Sequence, residues 1–581
     1  MKSFKKIRNY YFGIYSIRDD YEHKRLNKII YYVCRFCYGV LHPKIFLNLF
    51  KNFFINSYNS ILFLKSVLPL KQKIFSKDFN KKKKNVLGVC LRGMEECFFQ
   101  IWYIMVKKVY KNSNFLVLSM KQNKKINLLC KILGVKIFYF EDISKNKTII
   151  PNHLKEKINN LVSERDFLSF NHNKINYGRI ALSSYFRNIY SGKIDLNSEN
   201  LKDIKNILTD FLTFEKPIES FLKKNNISYL ISTEIFMEEY ALIAKISCKE
   251  KIPFLRFETT YSDGEYMVSK VNQENFHDHG SSISESTFKS IKNKSSISQI
   301  ITKNKEDFFK RYNKKESLFA KSNYNDSQAL DNNQIIKSLN LDPNKKIGVI
   351  FSHILYDVIF AYGDGYFDNY YRWLGETIKI ISTFKNTQWI LKLHPSNMWR
   401  GEVKKQLINE YEEMRVIKEY VGEIPNNLKI IDQTIKILPN SLMSLADLGI
   451  TVRGTSGIEL ATMGKKVITL GRGRYDKYKF TNFCDTLDEY KELLESFDLG
   501  NYEKFLRSDQ VIENSNIFYY GLFFLRQIKI PHVKILPKKF IIPKKYDNLN
   551  YFYTREFDKG LKELQEYIYS ENYDRYVNKI S

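Results

Sequence analysis

No run of eighteen apolar residues occurs anywhere in this 581-residue chain, so no segment reads as a membrane-spanning helix. The start, Met1-Lys-Ser-Phe-Lys-Lys-Ile-Arg8, runs into charge without an apolar stretch and a small-residue cleavage site, so no secretory leader is expected. Cysteine is scarce and odd in number: seven residues, at 34, 37, 90, 97, 130, 248 and 484, mostly in apolar surroundings. That excludes a disulfide framework and favours reduced thiols in the cytoplasm. Cys34 and Cys37 make a lone C-x-x-C without the second pair or His cluster of a metal or redox site. Zinc fingers, RNP-type aromatic stripes and Arg-rich recognition helices are missing, which argues against nucleic acid as partner. No repeat of solenoid period and no clear Asp-x-Asp metal motif is found.

Acidic residues are in the minority, 63 against 93 Lys and Arg, for a formal net charge of +30. Such an excess favours anions, either an anionic membrane surface or phosphorylated and acidic sugars. Lysine outnumbers arginine beside abundant Asn, Ile, Tyr and Phe, the bias of an AT-rich genome, so part of the charge carries no function. The apolar fraction of 44% and aromatic fraction of 15% are ample for folded cores, and the length calls for two domains plus extensions.

Four parts are expected. Residues 1–84 form a basic helical extension, with Leu26, Ile29, Ile30, Val33, Cys37 and Val40 at helical spacing and Lys81 to Lys84 as a basic run. It either lies on an anionic inner leaflet or packs on the main body. Residues 85–335 alternate strands and helices, strands beginning near Val86, Asn114, Val135, Ile227 and Pro253, which predicts a parallel sheet; Asp263 to Asn340 is expected to hold loops, helices and the interdomain connection. Residues 336–510 form a second such domain. Residues 511–581 are a tail with a final helix near Thr554 to Ser570. Two doubly wound domains create a cleft at the carboxyl ends of their strands.

Two motifs fall on that edge. Trp389-Ile-Leu-Lys-Leu-His-Pro395 is a strand stopped by a proline that has no N–H to donate, which delivers His394 at the strand end. Leu448 to Val452 is a strand, Arg453-Gly-Thr-Ser-Gly457 a turn, Ile458 to Met463 a helix start and Lys466 to Leu470 the next strand. A small-residue turn at a helix N-terminus suits phosphate, its dipole contributing roughly 0.3–1 kcal/mol per charge. Thr455 and Ser456 offer hydroxyls there, or serve as an N-cap. Arg453 offers a bidentate contact. His394 either hydrogen-bonds a phosphate, protonates a departing one or caps its loop. Glu459 either accepts from ribose hydroxyls or is a helix charge. Candidate bases are Asp357, beyond a strand end, Glu95 and Glu96 after the Arg92-Gly93 turn, and Glu234 after the Ile227 strand. Each of these carboxylates also fits a loop-capping or helix-start position.

The ordered set Phe351-Ser-His353 with Asp357, Phe367-Asp-Asn-Tyr-Tyr-Arg-Trp-Leu-Gly-Glu-Thr-Ile378, Lys392-Leu-His-Pro395, Gly454-Thr-Ser-Gly-Ile-Glu459 through Gly464-Lys-Lys-Val-Ile468, and Gly471 to Tyr475 resembles the bacterial capsule-polysaccharide and surface-carbohydrate glycosyltransferases, over roughly residues 345 to 480. The resemblance implies a GT-B fold of two Rossmann-like domains, the first for the acceptor and the second for a CMP- or UDP-linked sugar, with the 511–581 tail crossing back to the first domain. It implies a cytoplasmic, metal-independent transferase that needs no cofactor beyond its nucleotide-sugar substrate. The acceptor would be a growing capsule or lipooligosaccharide glycan or glycolipid, met at the inner membrane surface. The donor set would be Ser352, His353, Lys392, Arg453, Gly454, Thr455, Ser456, Gly457, Glu459 and Tyr475. A polyol-phosphate transferase or sugar epimerase on the same scaffold, and a non-catalytic membrane-assembly scaffold, are the competing readings.

Overall fold

The computed structural model describes residues 84–91, 99, 102, 103, 105, 106, 113–260, 265–312, 327–357, 359–362, 365–367, 369–398, 410–432, 435–529, 534–536, 539–541 and 555–570. Glu95, Glu96 and all of the 1–84 extension but Lys84 lie outside the described residues.

The first unit supplies β1 (Lys84–Cys90), β2 (Ser113–Ser119), β3 (Lys136–Tyr139), the two-residue pair β4 (Asn171–His172) and β5 (Ile175–Asn176), then β6 (Ile227–Ser232), β7 (Phe254–Thr259) and β8 (Glu265–Val271). β1 and β2 are buried along almost their whole length. Continuous rather than alternating burial marks strands covered on both faces, as a parallel sheet between helices requires. The helix Lys124–Leu133 shows how the connections form: Asn123 caps it by accepting from Ile126 N, Gly134 ends it at φ 64°, and Ile126, Leu129, Cys130 and Leu133 make its buried stripe.

The second unit supplies β9 (Lys346–Phe351), β10 (Thr387–Lys392), β11 (Leu428–Ile431), β12 (Leu448–Thr451), β13 (Lys466–Thr469) and β14 (Asn482–Phe483). Its sheet order is β11-β10-β9-β12-β13-β14, parallel throughout. Counted from β9 this is 3-2-1-4-5-6, the Rossmann order, and the direction of winding reverses between β9 and β12. The first sheet repeats the pattern as β3-β2-β1-β6-β7, with the reversal between β1 and β6. The protein therefore contains two Rossmann-like doubly wound sheets, as expected.

β8 and the start of one helix depart from the sequence reading. β8 lies in the polar stretch expected to be loop and helix, and it runs antiparallel to β7. It is followed in the sheet by β15 (Gln527–Lys529), again antiparallel, so the chain returns from the second unit to the edge of the first. The helix Arg555–Tyr569 then places Leu561, Leu564, Tyr567 and Ile568 in the core beneath β1 and β2, and Tyr567 Oη accepts from Lys270 N at 2.9 Å. The helix after β12 starts at Thr455, three residues earlier than expected.

Candidate functional site

The loops after β9, β10 and β12 meet at the reversal point of the second sheet. His353, two residues beyond β9, sits with Nε2 2.9 Å from Thr451 Oγ1, 3.1 Å from Val452 N and 3.4 Å from Arg453 N. Backbone N–H groups only donate, so Nε2 is the acceptor and the proton resides on Nδ1. Thr451 Oγ1 in turn accepts from Gly454 N at 3.2 Å. One imidazole thus ties the β9 loop to the turn after β12, its ring held 4.8 Å from Tyr370 and edge-on to Trp373. Burial, with His394, Arg453 and Arg474 nearby, holds its pKa well below the usual value.

Glu413, which the motifs gave no reason to single out, anchors this corner. It is fully buried on helix Glu412–Val421, and Oε1 accepts from Ser352 Oγ at 2.9 Å, Asn397 Nδ2 at 2.7 Å and His394 N at 3.3 Å. Asn397 Nδ2 also reaches His353 O at 2.9 Å. Burial raises the pKa of Glu413, and these donors pull it back. Lys392 is buried at the end of β10, and desolvation lowers it to about 8 against the opposing pull of Glu413.

His394 Nδ1 accepts from Ser396 N at 3.1 Å, which puts its proton on Nε2, and that donor has no partner among the described residues. Burial and the Lys392 charge lower its pKa to about 3. It is therefore a neutral hydrogen-bond donor near pH 7. Protonating a leaving group, one of its expected roles, would need the imidazolium.

The helix Thr455–Thr462 has Gly454 at its N-cap, with no side-chain cap, and Gly454, Thr455 and Ser456 are only half-buried. Gly457 is required by close approach: a Cβ there would lie 2.4 Å from Tyr475 Oη, which donates to Gly454 O at 2.8 Å. Tyr475 is thus a buried brace of the turn. Arg474 donates to Arg453 O at 2.8 Å, Ser281 O at 3.2 Å and Thr455 Oγ1 at 3.1 Å. Arg453 donates through Nη1 to Arg472 O at 2.8 Å and lies over the rings of Tyr362 and Tyr370.

Three of the expected carboxylates are engaged by other groups of the protein. Glu459 is 2% exposed, paired with Arg311 at 3.3 Å and accepting from Tyr312 Oη at 2.8 Å, so its oxygens are taken up inside the protein instead of facing a ribose. Asp357 is ion-paired with Arg187 of helix Tyr177–Ile189, a tie between the two units. Glu234 Oε1 accepts from Ile235 N at 2.8 Å and Phe236 N at 2.7 Å, bracing its own loop.

The first unit contributes what the motifs missed. His279 stacks on Tyr362 with centroids 4.5 Å apart, donates through its backbone N to Gly473 O at 2.7 Å, and accepts at Nδ1 from Ser281 N at 3.0 Å. Burial lowers its pKa far below the usual value, and four guanidiniums act in the same direction: Arg474, Arg256, Arg453 and Arg526. All four are under 8% exposed. The carboxylates acting on Arg256 are two, Glu258, its ion-pair partner, and Glu234. Nε of Arg256, Arg453 and Arg526 is buried without a partner among the described residues. Buried guanidinium donors left without partners are costly, so the cluster offers binding groups to an anion. Arg256 stands mid-strand in Phe254-Leu-Arg-Phe257, a charge in an apolar run, which was the signal available in the sequence. Among the described residues no three His, Cys, Asp or Glu side chains gather as a metal site.

No family model and no curated protein matches the sequence. Among solved structures, the chain is similar to the beta Kdo 2,4 transferase of Thermosulfurimonas dismutans KpsC, at 13% identity over 57% of this chain and 88% of that one, TM-score 0.29. It is similar to Acinetobacter baumannii MurG at 10% identity, over 74% and 94% of the two chains, TM-score 0.25. It is also similar to a UDP-GlcNAc 2-epimerase from Neisseria meningitidis bound to UDP-GlcNAc, at 11% identity, over 74% and 97%, TM-score 0.24. Likenesses this distant say nothing about substrate, and the chemistry has to come from the side chains.

Proposed function

We propose that the chain is a glycosyltransferase that takes a sugar from a CMP- or UDP-linked donor and adds it to a growing capsule or lipooligosaccharide glycan. The observation that supports this most is the guanidinium cluster of Arg256, Arg453, Arg474 and Arg526 around His279, with buried Nε donors left over and adjoining the reversal point of the second sheet. Ligands of doubly wound sheets bind at such points, beyond the carboxyl ends of the strands. Loss of a nucleotide leaving group builds negative charge on phosphate oxygens, and donors fixed in a water-poor site stabilise it without reorganising. Arg453 Nε, the His394 Nε2–H and the first turn of helix Thr455–Thr462 are such donors. Glu413 and His353 act as positioning residues that hold the three loops together. The acceptor class comes from the motif resemblance, and the basic segment 1–84 would bring the enzyme to an anionic membrane face. Among the described residues no helix is long and apolar enough to cross a membrane.

The test is thermal stabilisation of the full chain by CMP, CDP, UDP and GDP and by their sugars, repeated in His394→Ala. A ligand that binds only the folded state raises its apparent stability. One nucleotide class should stabilise the protein, and that stabilisation should shrink in the variant. A flat response to the whole panel would refute the donor assignment.

A further inference from the structure

A second cavity, of about 350 Å³, lies apart from the arginine cluster. It is walled by the β4–β5 turn, helix Tyr177–Ile189, helix Glu238–Lys249 and, from the second unit, Phe360 and Ala361. Lys174, Arg179, Lys245 and His277 line it, and among the described residues no Asp or Glu does. Phe236, Phe276 and Phe360 give it apolar faces.

Lys245 is the informative group. Its Nζ stands 3.5 Å from the ring centroid of Phe276 and 3.1 Å from His277 Nε2. His277 Nδ1 lies 2.7 Å from Ala361 O, which can only accept, so Nδ1 carries the proton and Nε2 accepts from Lys245. An imidazole lone pair and an aromatic face orient an ammonium but do not neutralise it. Among the described residues no carboxylate lies within ion-pair distance of Lys245. Burial lowers its pKa to about 8, the Arg179 charge adding to the effect and Cys248 opposing it. Arg179 reaches across the same space to Phe360 O at 3.3 Å.

We infer that this cavity binds an oxyanion carried by the acceptor, a phosphate or carboxylate on a sugar-sized body, through Lys245 and Arg179. The inference rests on the glycosyltransferase reading for the word acceptor, but the binding itself can be tested without it. The volume is near the lower end of small-ligand pockets, about 300–1,000 Å³, which suits one ring and its substituent. The aromatic walls suit the C–H faces of that ring, and the cations read its charge. The cavity also adjoins the donor side: His277 holds Ala361, whose neighbour Tyr362 stacks on His279 and lies under Arg453.

The experiment is calorimetric titration of the full chain with glucose 6-phosphate, glucuronate and neutral glucose, in wild type, Lys245→Met, Lys245→Arg and Arg453→Met, with UDP and CMP titrated in parallel. Methionine keeps an apolar stem over Phe276, and arginine restores the charge. The sugar anion should bind wild type and Arg453→Met alike, weaken about tenfold or more in Lys245→Met as loss of a charged hydrogen bond implies, and recover in Lys245→Arg. A preference for the phosphate or for the carboxylate, each dependent on Lys245, identifies which oxyanion the acceptor carries. Unchanged binding in Lys245→Met, loss in Arg453→Met instead, glucose binding as tightly as its anions, or no binding by either sugar anion would each overturn the inference. Anion binding through Lys245 in a protein that binds no nucleotide would refute the donor site alone.

Discussion

Arg453→Met removes one cation from the cluster while keeping an unbranched side chain against Tyr362 and Tyr370. In the free protein it forfeits the bond to Arg472 O, about 1 kcal/mol net, and relieves repulsion with Arg474, whose guanidinium bonds to the Arg453 carbonyl. The two effects oppose each other, so the unliganded variant should unfold within about 1 kcal/mol of wild type. The nucleotide loses a charge-assisted bond, about 1.5–3 kcal/mol, which is a weakening of roughly tenfold or more. Take a ligand at a concentration of about 100 times the wild-type Kd: it stabilises wild type by about 2.7 kcal/mol. After a tenfold weakening the same concentration is about ten times Kd and contributes only about 1.4 kcal/mol. Urea unfolding followed by fluorescence, with and without the nucleotide that stabilises wild type, reads both quantities. An equal nucleotide increment in the two proteins would remove Arg453 from the donor site.

Two further outcomes follow from buried groups. Glu413→Ala leaves the Ser352, Asn397 and His394 donors unpaired and should destabilise the protein by about 3 kcal/mol or more, while Glu413→Gln keeps an acceptor and should cost about 1 kcal/mol, both measured by urea unfolding; equal losses would show that Glu413 is not the clamp of these loops. For Lys245, the folded pKa of about 8 lies below the unfolded value near 10.5, so the unfolded chain binds more protons between those pH values and the stability of wild type rises across them. The burial cost is fully present below pH 8, so Lys245→Met should gain stability relative to wild type there and lose that advantage towards pH 10.5; a difference that does not change with pH would contradict a desolvated ammonium.

The strand framework was readable because buried parallel strands are continuous apolar runs. Val86 to Leu91 and Ile347 to Phe351 have no polar alternation to obscure them, and Pro395 and Gly454 mark where they stop. β8 was missed because Glu265-Tyr-Met-Val-Ser-Lys-Val271 mixes charge with apolar residues inside a polar stretch, and it forms only by pairing with β7 and β15. The placement of His394 beyond a strand end and of Gly454 at a helix start was legible because the backbone itself delivers them. The ion pairs of Asp357 and Glu459 are not legible in the sequence because their partners, Arg187 and Arg311, come from well over a hundred residues away. Glu413 did leave a trace: it shares a helix face with Val416 and Ile417, at i, i+3 and i+4, where a solvated acid does not belong. His279 and Arg526 left none, since their meaning arises only when distant segments meet.

The return of β15 to the edge of β8 has a consequence for synthesis. The first sheet is open at β8 until the ribosome has added roughly 250 more residues, about 13–50 s at about 5–20 residues per second. Through that interval an unpaired strand edge, and the surface later covered by Leu561, Leu564 and Tyr567, stand exposed on a nascent chain. The first unit would therefore depend on chaperone cover, and circular permutants whose chain begins just before β15, so that β15 and the helix Arg555–Tyr569 are synthesised ahead of β1, should yield more soluble protein.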